Sequence, residues 1–243
     1  LLDTWKKYKD TMMLDVIAFD ADDTLWQNER LYNATQDKFA RLLAKYTHAN
    51  EIDAALYETE KGNIPYFGYG IKSFTLSMIE TAIRLTGGQI TSEDIAQIVG
   101  FAKVMIDTPV QLLEHAAETV TQLAGSHRLM IITKGDLLDQ ARKLERSGLA
   151  GYFTYVEIVS EKSEATYTGI LAKYNLTPQR FLMVGNSLRS DVLPVVAIGG
   201  HAVYIPHDFT WVHEAITDHD PAGYVELEHL GLLPALVEEL DRG

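Results

Sequence analysis

Asp20-Ala21-Asp22-Asp23-Thr24 puts three carboxylates and a hydroxyl into five consecutive positions, directly after a nearly continuous apolar run that begins at Leu14. Three more segments follow apolar runs in the same way: Thr133-Lys134-Gly135-Asp136, Ser160-Glu161-Lys162, and Gly185-Asn186-Ser187 with Asp191 one turn further on. A carboxylate can attack an electrophile, carry a proton or hold a hard cation. A hydroxyl and lysines can hold an anion. Each segment alone has an ordinary reading. Asp20 and Asp22 could make loop hydrogen bonds, Thr133 could end a strand, Lys162 could be solvated with Lys134 its rival, and Asp191 could be a helix-terminal acid. Their convergence would carry the weight.

Convergence needs a scaffold, and the apolar periodicity supplies one. The spacing predicts strands over 14–20, 129–133, 155–159, 181–184 and 202–205. It predicts helices over 111–123, 137–147, 164–174 and 191–198, with Gly148 closing the second of these. Between about Asn28 and Thr108 the pattern is helical throughout, with helices over 32–46, 74–86 and 92–105, the last capped by Thr91 or Ser92. Alternating strands and helices give a parallel sheet covered on both faces. The expected fold is therefore α/β: a doubly wound, Rossmann-like parallel sheet formed by residues 1–27 and 109–243, with a helical domain, 28–108, inserted after the first strand. In such sheets ligands bind beyond the carboxyl ends of the strands, near the topological switch point. All four segments stand at such ends. No internal repeat, low-complexity stretch or long linker interrupts the pattern.

Composition narrows the partners. The chain has 243 residues, 47% hydrophobic and 23% charged, within the range of globular proteins. Its formal charge of −13 argues against nucleic acid and anionic lipid as partners. No apolar run approaches the roughly 20 residues a spanning helix needs, so no membrane segment is expected. Lys6, Lys7 and Lys9 follow Leu1 and Leu2 without a long apolar core or a cleavage site, so the opening residues are not read as a signal peptide. The chain has no cysteine, which excludes disulfides, thiolate metal sites and cysteine nucleophiles and suits a reducing compartment. A cytoplasmic location is the expectation. An acidic protein can still bind phosphate where a few cations are gathered in one pocket.

Taken in order, the four segments resemble the motifs of the haloacid dehalogenase superfamily, most of whose members are phosphatases. Asp20-Ala21-Asp22-Asp23-Thr24 matches its Asp-x-Asp-x-Thr, Thr133 its strand-ending Thr or Ser, and Lys162 its Lys. Gly185 to Asp191 matches its acidic Gly-Asp-x-x-x-x-Asp, with Asn186 where the family usually has Asp. The resemblance runs from about Leu14 to Pro206. About 110 residues separate Asp22 from Thr133, whereas Lys162 and Gly185 lie close together. That spacing is similar to the branch with a helical cap between the first and second motifs.

The resemblance implies a magnesium-dependent phosphatase acting on a small phosphorylated metabolite. Asp20 would attack phosphorus to form an aspartyl phosphate, and Asp22 would act as general acid and then base. Thr133 and Lys162, with Lys134 as the alternative lysine, would hold the phosphoryl oxygens. Mg²⁺ would be held by Asp20, Asp191 and the backbone carbonyl of Asp22, with Asn186 offering a neutral oxygen directly or through water.

Within the helical insertion, Tyr66-Phe67-Gly68-Tyr69-Gly70 either lines a substrate pocket or joins two helices. Tyr69 and Lys72 are its candidate substrate contacts. His207, His213, His219 and His229 fall near Asp208 and Asp220 without a fixed ligand spacing, so a solvated region is the better reading. Three rival functions remain. A 2-haloacid dehalogenase also uses an aspartate nucleophile without Mg²⁺, but that branch typically has an aromatic where Asp22 stands. A phosphomutase shares all four motifs. A catalytically silent phospho-ligand binding protein on the same fold would fail to turn over any phosphorylated compound.

Overall fold

The computed structural model describes residues 14–207 and 223–242. In chain order β1 (Val16–Phe19) is followed by the helices α1 (Glu29–Leu43), α2 (Ala49–Phe67), α3 (Ile71–Leu85), α4 (Ser92–Asp107) and α5 (Ala116–Ala124). Then come β2 (Arg128–Lys134), α6 (Leu137–Arg146), β3 (Phe153–Val159), α7 (Glu164–Lys173), β4 (Phe181–Gly185) and α8 (Leu193–Ala197). The described chain ends with β5 (His201–Tyr204), β6 (Val225–Glu226) and α9 (Leu233–Arg242). These residues form two compact units. One comprises 14–29, 110–133 and the described residues from Lys143 onward; the other comprises Arg30–Pro109 and Lys134–Arg142. No described helix is long and apolar enough to cross a membrane.

The first unit is built on a parallel sheet of order β3-β2-β1-β4-β5-β6. Its central strands are buried on both faces, which is why they read as continuous apolar runs. Side chains alternate between two cores, as the two-residue period of a strand requires. Ile17, Phe19, Leu129, Ile131, Leu182 and Val184 enter one core with Val120, Leu233 and Val237. Val16, Ala18, Met130, Ile132 and Met183 enter the other with Tyr167, Ile170 and Leu171. The chain runs outward from β1 to β2 and β3, then returns to β4 on the opposite side of β1. The gap between the carboxyl ends of β1 and β4 is thus the switch point.

The second unit packs α1 to α4 around Phe39, Leu43, Ile52, Leu56, Phe74, Met78, Ile98 and Met105. Thr91 is the cap of α4, its hydroxyl accepting the Asp94 N–H at 3.1 Å. α2 stops at Phe67 because Gly68 turns the chain at φ 68°.

Three local expectations change. The helix expected over 111–123 begins only at Ala116, because the preceding backbone pairs with the loop after β1: Gln27 N–H donates to Gln111 O and Leu113 N–H to Leu25 O, both at 2.9 Å. The helix expected over 191–198 opens instead as a π-turn, Leu188–Val192, followed by the short α8. β6 and α9 stand in a region for which the periodicity predicted no element.

Candidate active site

Asp20 leaves the end of β1 beside the end of β4, held there by its N–H donating to Val184 O at 2.9 Å. Asn186 leaves the end of β4 on the neighbouring position. Thr24 lies one turn beyond Asp20, and its hydroxyl is 3.3 Å from both Asp20 Oδ2 and Asn186 Oδ1. Lys162 stands in the loop after β3, just ahead of Ser163, which caps α7. Its ammonium donates to Asp20 Oδ1 and, at 2.6 Å, to Asp191 Oδ1.

Asp191 is fixed by the π-turn. Val192 N–H reaches back to Ser187 O, the Ser187 hydroxyl accepts the Ser190 N–H at 3.0 Å, and Asp191 Oδ2 accepts the Ser187 N–H at 3.0 Å. Such turns carry an extra residue per turn and often sit at functional sites. Thr133 is buried one residue before the end of β2. Because Ile131 pairs with Phe19, Thr133 stands two residues further toward the carboxyl end, level with the residues after β1.

Burial sets the electrostatics of this cluster. Withdrawal from water pushes the Asp20 carboxyl up to about 7; Lys162 opposes that shift and Asp191 adds to it. Burial pulls Lys162 down, but Asp191 and Asp20 more than offset it and hold the ammonium above the ordinary lysine range. The site therefore keeps a permanent cation against its two carboxyl groups.

Asp22 points to different partners. Its Oδ1 accepts the Trp26 indole N–H at 2.7 Å, and the Lys143 ammonium donates to Oδ1 and Oδ2 at 2.9 and 3.0 Å. Lys143 also donates to Asn28 Oδ1 at 2.9 Å. Asp23 turns the chain at φ 57° and accepts the N–H groups of Asn28 and Glu29, which seats the start of α1. Trp26, Asn28 and Lys143 have no signature in the sequence; Lys143 and Asp22 are 121 positions apart.

The donor set suits Mg²⁺. Asp20 Oδ2 and Asn186 Oδ1 face one Thr24 hydroxyl, which has a single hydrogen to give, so one of these two oxygens always lacks that donor. Both are hard oxygens of the kind Mg²⁺ prefers. Among the described residues no three His, Cys, Asp or Glu side chains converge as a metal site. Asp20 and Asp191 converge on Lys162, while the Asp22 carboxyl is turned to Lys143. The fit therefore rests on the two carboxylates of Asp20 and Asp191 and the Asn186 oxygen.

Tyr69, Lys72 and Lys134 belong to the helical unit. The Lys134 ammonium lies 4.5 Å from the centre of the Tyr69 ring, and Lys72 pairs with both oxygens of Asp136 at 3.0 and 2.9 Å. Burial works against the Asp136 charge, yet Lys72 and the Asp139 N–H hold its carboxyl below the usual range. Gly70, at φ 109°, sits against this segment; a Cβ there would come 3.0 Å from Asp136 N. Tyr66, 82% exposed, lies outside the core of the unit.

Among the histidines, His207 Nε2 is 3.8 Å from Asp23 Oδ1, and His229 stacks on His115 with ring centres 4.6 Å apart. His213, His219, Asp208 and Asp220 lie outside the described residues.

Similarity to known proteins agrees with this geometry. A haloacid dehalogenase-like hydrolase from Xanthomonas campestris has a solved structure with 38% sequence identity and a TM-score of 0.86, covering 96% of this chain and 94% of that one. The glyceraldehyde 3-phosphate phosphatase of Methanothermobacter thermautotrophicus is 26% identical over 85% of this chain and 91% of its own length. The 2-haloacid dehalogenase of Pseudomonas syringae shares the fold, at 20% identity and a TM-score of 0.65 over 93% of this chain and 99% of that one. The family model for haloacid dehalogenase-like hydrolases matches residues 14–199, which span β1 through α8 and all four motif segments. With that match and the cluster formed by Asp20, Thr24, Lys162, Asn186 and Asp191, the chain belongs to the haloacid dehalogenase-like hydrolases.

Proposed function

We propose that this hydrolase is a magnesium-dependent phosphatase of small phosphorylated metabolites, working in the cytoplasm through an aspartyl phosphate on Asp20. The observation that carries the reading is a division of labour between two carboxyl groups two residues apart. Asp20 lies against Lys162 and Thr24 at the switch point, whereas Asp22 lies among donors of its own. A nucleophile and a separate proton carrier are what phosphate ester hydrolysis requires. A relative named as a glyceraldehyde 3-phosphate phosphatase supports phosphate monoesters as the substrate class and makes a triose phosphate the first compound to try.

In this reading an Asp20 oxygen forms a bond to phosphorus as the bond to the leaving oxygen breaks, and Asp22 gives that oxygen its proton. Water then attacks phosphorus, Asp22 takes the water proton, and the bond from phosphorus to Asp20 breaks. Lys162 and the Thr133 hydroxyl hold phosphoryl oxygens while charge spreads over them. Asp20, Asp191, the Asp22 carbonyl and Asn186 would hold Mg²⁺, which offsets the repulsion between a phosphate and an attacking carboxylate. The helical domain, 28–108, acts as the cap that selects the leaving group.

The test is Asp20→Asn with a panel of phosphorylated metabolites and Mg²⁺. The folded variant is expected to lose turnover and to lose covalent trapping by a phosphate-mimicking fluoride complex. Substantial phosphatase activity in it would overturn the assignment. Release of halide from a 2-haloacid without Mg²⁺ by the wild type would favour the dehalogenase reading, which the retention of Asp22 argues against.

A further inference from the structure

The Lys143 side chain is 14% exposed and donates to the segment after β1: twice to the Asp22 carboxylate and once to Asn28 Oδ1. The Trp26 indole N–H closes on Asp22 Oδ1 from a buried ring. Asp22 and Trp26 also form an isolated backbone bridge, and Trp26 bridges onward to Leu112, so the indole is held by the fold rather than by Asp22. A carboxylate side chain can rotate freely about two bonds; donors arriving from two fixed elements remove that freedom. Asp22 remains within electrostatic reach of Asp20, whose carboxyl it helps to push up.

We propose that Lys143 is a positioning residue, which together with Trp26 fixes where the Asp22 carboxylate stands beside the phosphoryl group on Asp20. The proposal rests on the phosphatase reading. Lys143 reaches from α6, whereas Trp26 and Asn28 come from the loop that leads into the helical unit. Its ammonium thus ties the proton carrier and the exit of that loop to one point. An Asp22 released from this clamp keeps its chemistry and loses its aim, and a displacement on the order of 1 Å can cost about 10²-fold in rate.

The experiment compares wild type, Lys143→Met and Lys143→Arg on an alkyl phosphate and on an aryl phosphate with a good leaving group, each with saturating Mg²⁺. Lys143→Met is expected to lose roughly 10- to 100-fold in kcat on the alkyl ester. Release of the first equivalent of aryl alcohol should change less than about threefold, since that group departs without a proton. A burst of aryl alcohol should then precede a slow steady state, because water still needs Asp22 to take its proton. Lys143→Arg, which can present two donors to a carboxylate, should recover part of the alkyl activity. Equal loss on both esters with no burst, or no loss on either, would overturn the proposal while leaving the phosphatase reading intact. Should Lys143→Met not fold, Lys143→Gln, whose uncharged amide falls one bond short of the ammonium, is expected to give the same leaving-group contrast. A wild type that turns over neither ester would overturn the phosphatase reading and the proposal together.

Discussion

Gly185 lies so close beneath Asp191 that a Cβ built on it would come within 2.6 Å of the Asp191 Cβ. Gly185 ends β4, and the π-turn that follows folds Asp191 back over it to take the Ser187 N–H and the Lys162 ammonium. The glycine is required here by close approach rather than by backbone conformation. The position of Asp191, and through Lys162 that of Asp20, depends on a missing methyl group.

Gly185→Ala should therefore push Asp191 off its place. Overpacking of this kind costs about 1–3 kcal/mol, and turnover should fall at least about 10²-fold because both Asp191 and Lys162 move. Thermal unfolding and kcat on one phosphate ester check the two effects. Wild-type activity in a protein of wild-type stability would mean that the turn can move without affecting the site.

If Mg²⁺ binds as proposed, Asn186 would set its affinity. Asp at this position would keep an acceptor for the Thr24 hydroxyl and add a negative charge beside Asp20 and Asp191. Asn186→Asp should tighten Mg²⁺ binding about tenfold, measured by calorimetry without substrate. An unchanged affinity would place the metal away from Asn186.

How much of this could be read from the sequence follows from the range of each interaction. β1 and β4 were legible because burial on both faces leaves a continuous apolar run, and Asp20 and Asn186 were legible because each directly follows such a run. The π-turn was not, because an apolar spacing compatible with an α-helix does not register one extra residue fixed by Ser187, Ser190 and Asp191. β6, two residues long, is shorter than any period. Residues 111–115 have a helical pattern, yet their backbone partners, Leu25 and Gln27, lie more than eighty positions away. Lys143 was invisible for the same reason: nothing near it on α6 signals a carboxylate on the loop after β1.

Lys72 and Tyr69 test the proposed selector role of the helical unit. The Lys72–Asp136 pair is largely exposed, so breaking it should cost less than about 1 kcal/mol of stability. Lys72→Ala or Tyr69→Ala should nevertheless change the ratio of activities among natural phosphate esters by more than it changes activity on a small aryl ester. Equal changes on every substrate would assign both residues a structural role only.

Glu60 supplies a pH dependence separate from the cluster around Asp20. It is half-buried on α2, flanked by the buried Thr59 and Asn63, and burial pushes its carboxyl from 4.5 up to about 7. The folded protein therefore holds this proton more tightly than the unfolded chain does. Below about pH 4.5 both states are protonated and the contribution to stability is fully present; as pH rises toward 7 the unfolded chain ionises first, and stability falls. A shift of this size corresponds to at most about 3 kcal/mol. Asp20, also pushed up to about 7, adds a fall of the same sign over an overlapping range. Glu60→Gln removes only its own share, so the variant should lose less stability than wild type between about pH 4.5 and 7 and should be the more stable protein at pH 8. Urea unfolding at four or five pH values measures both slopes, and parallel curves for the two proteins would show that Glu60 ionises in the folded state as freely as in the unfolded one.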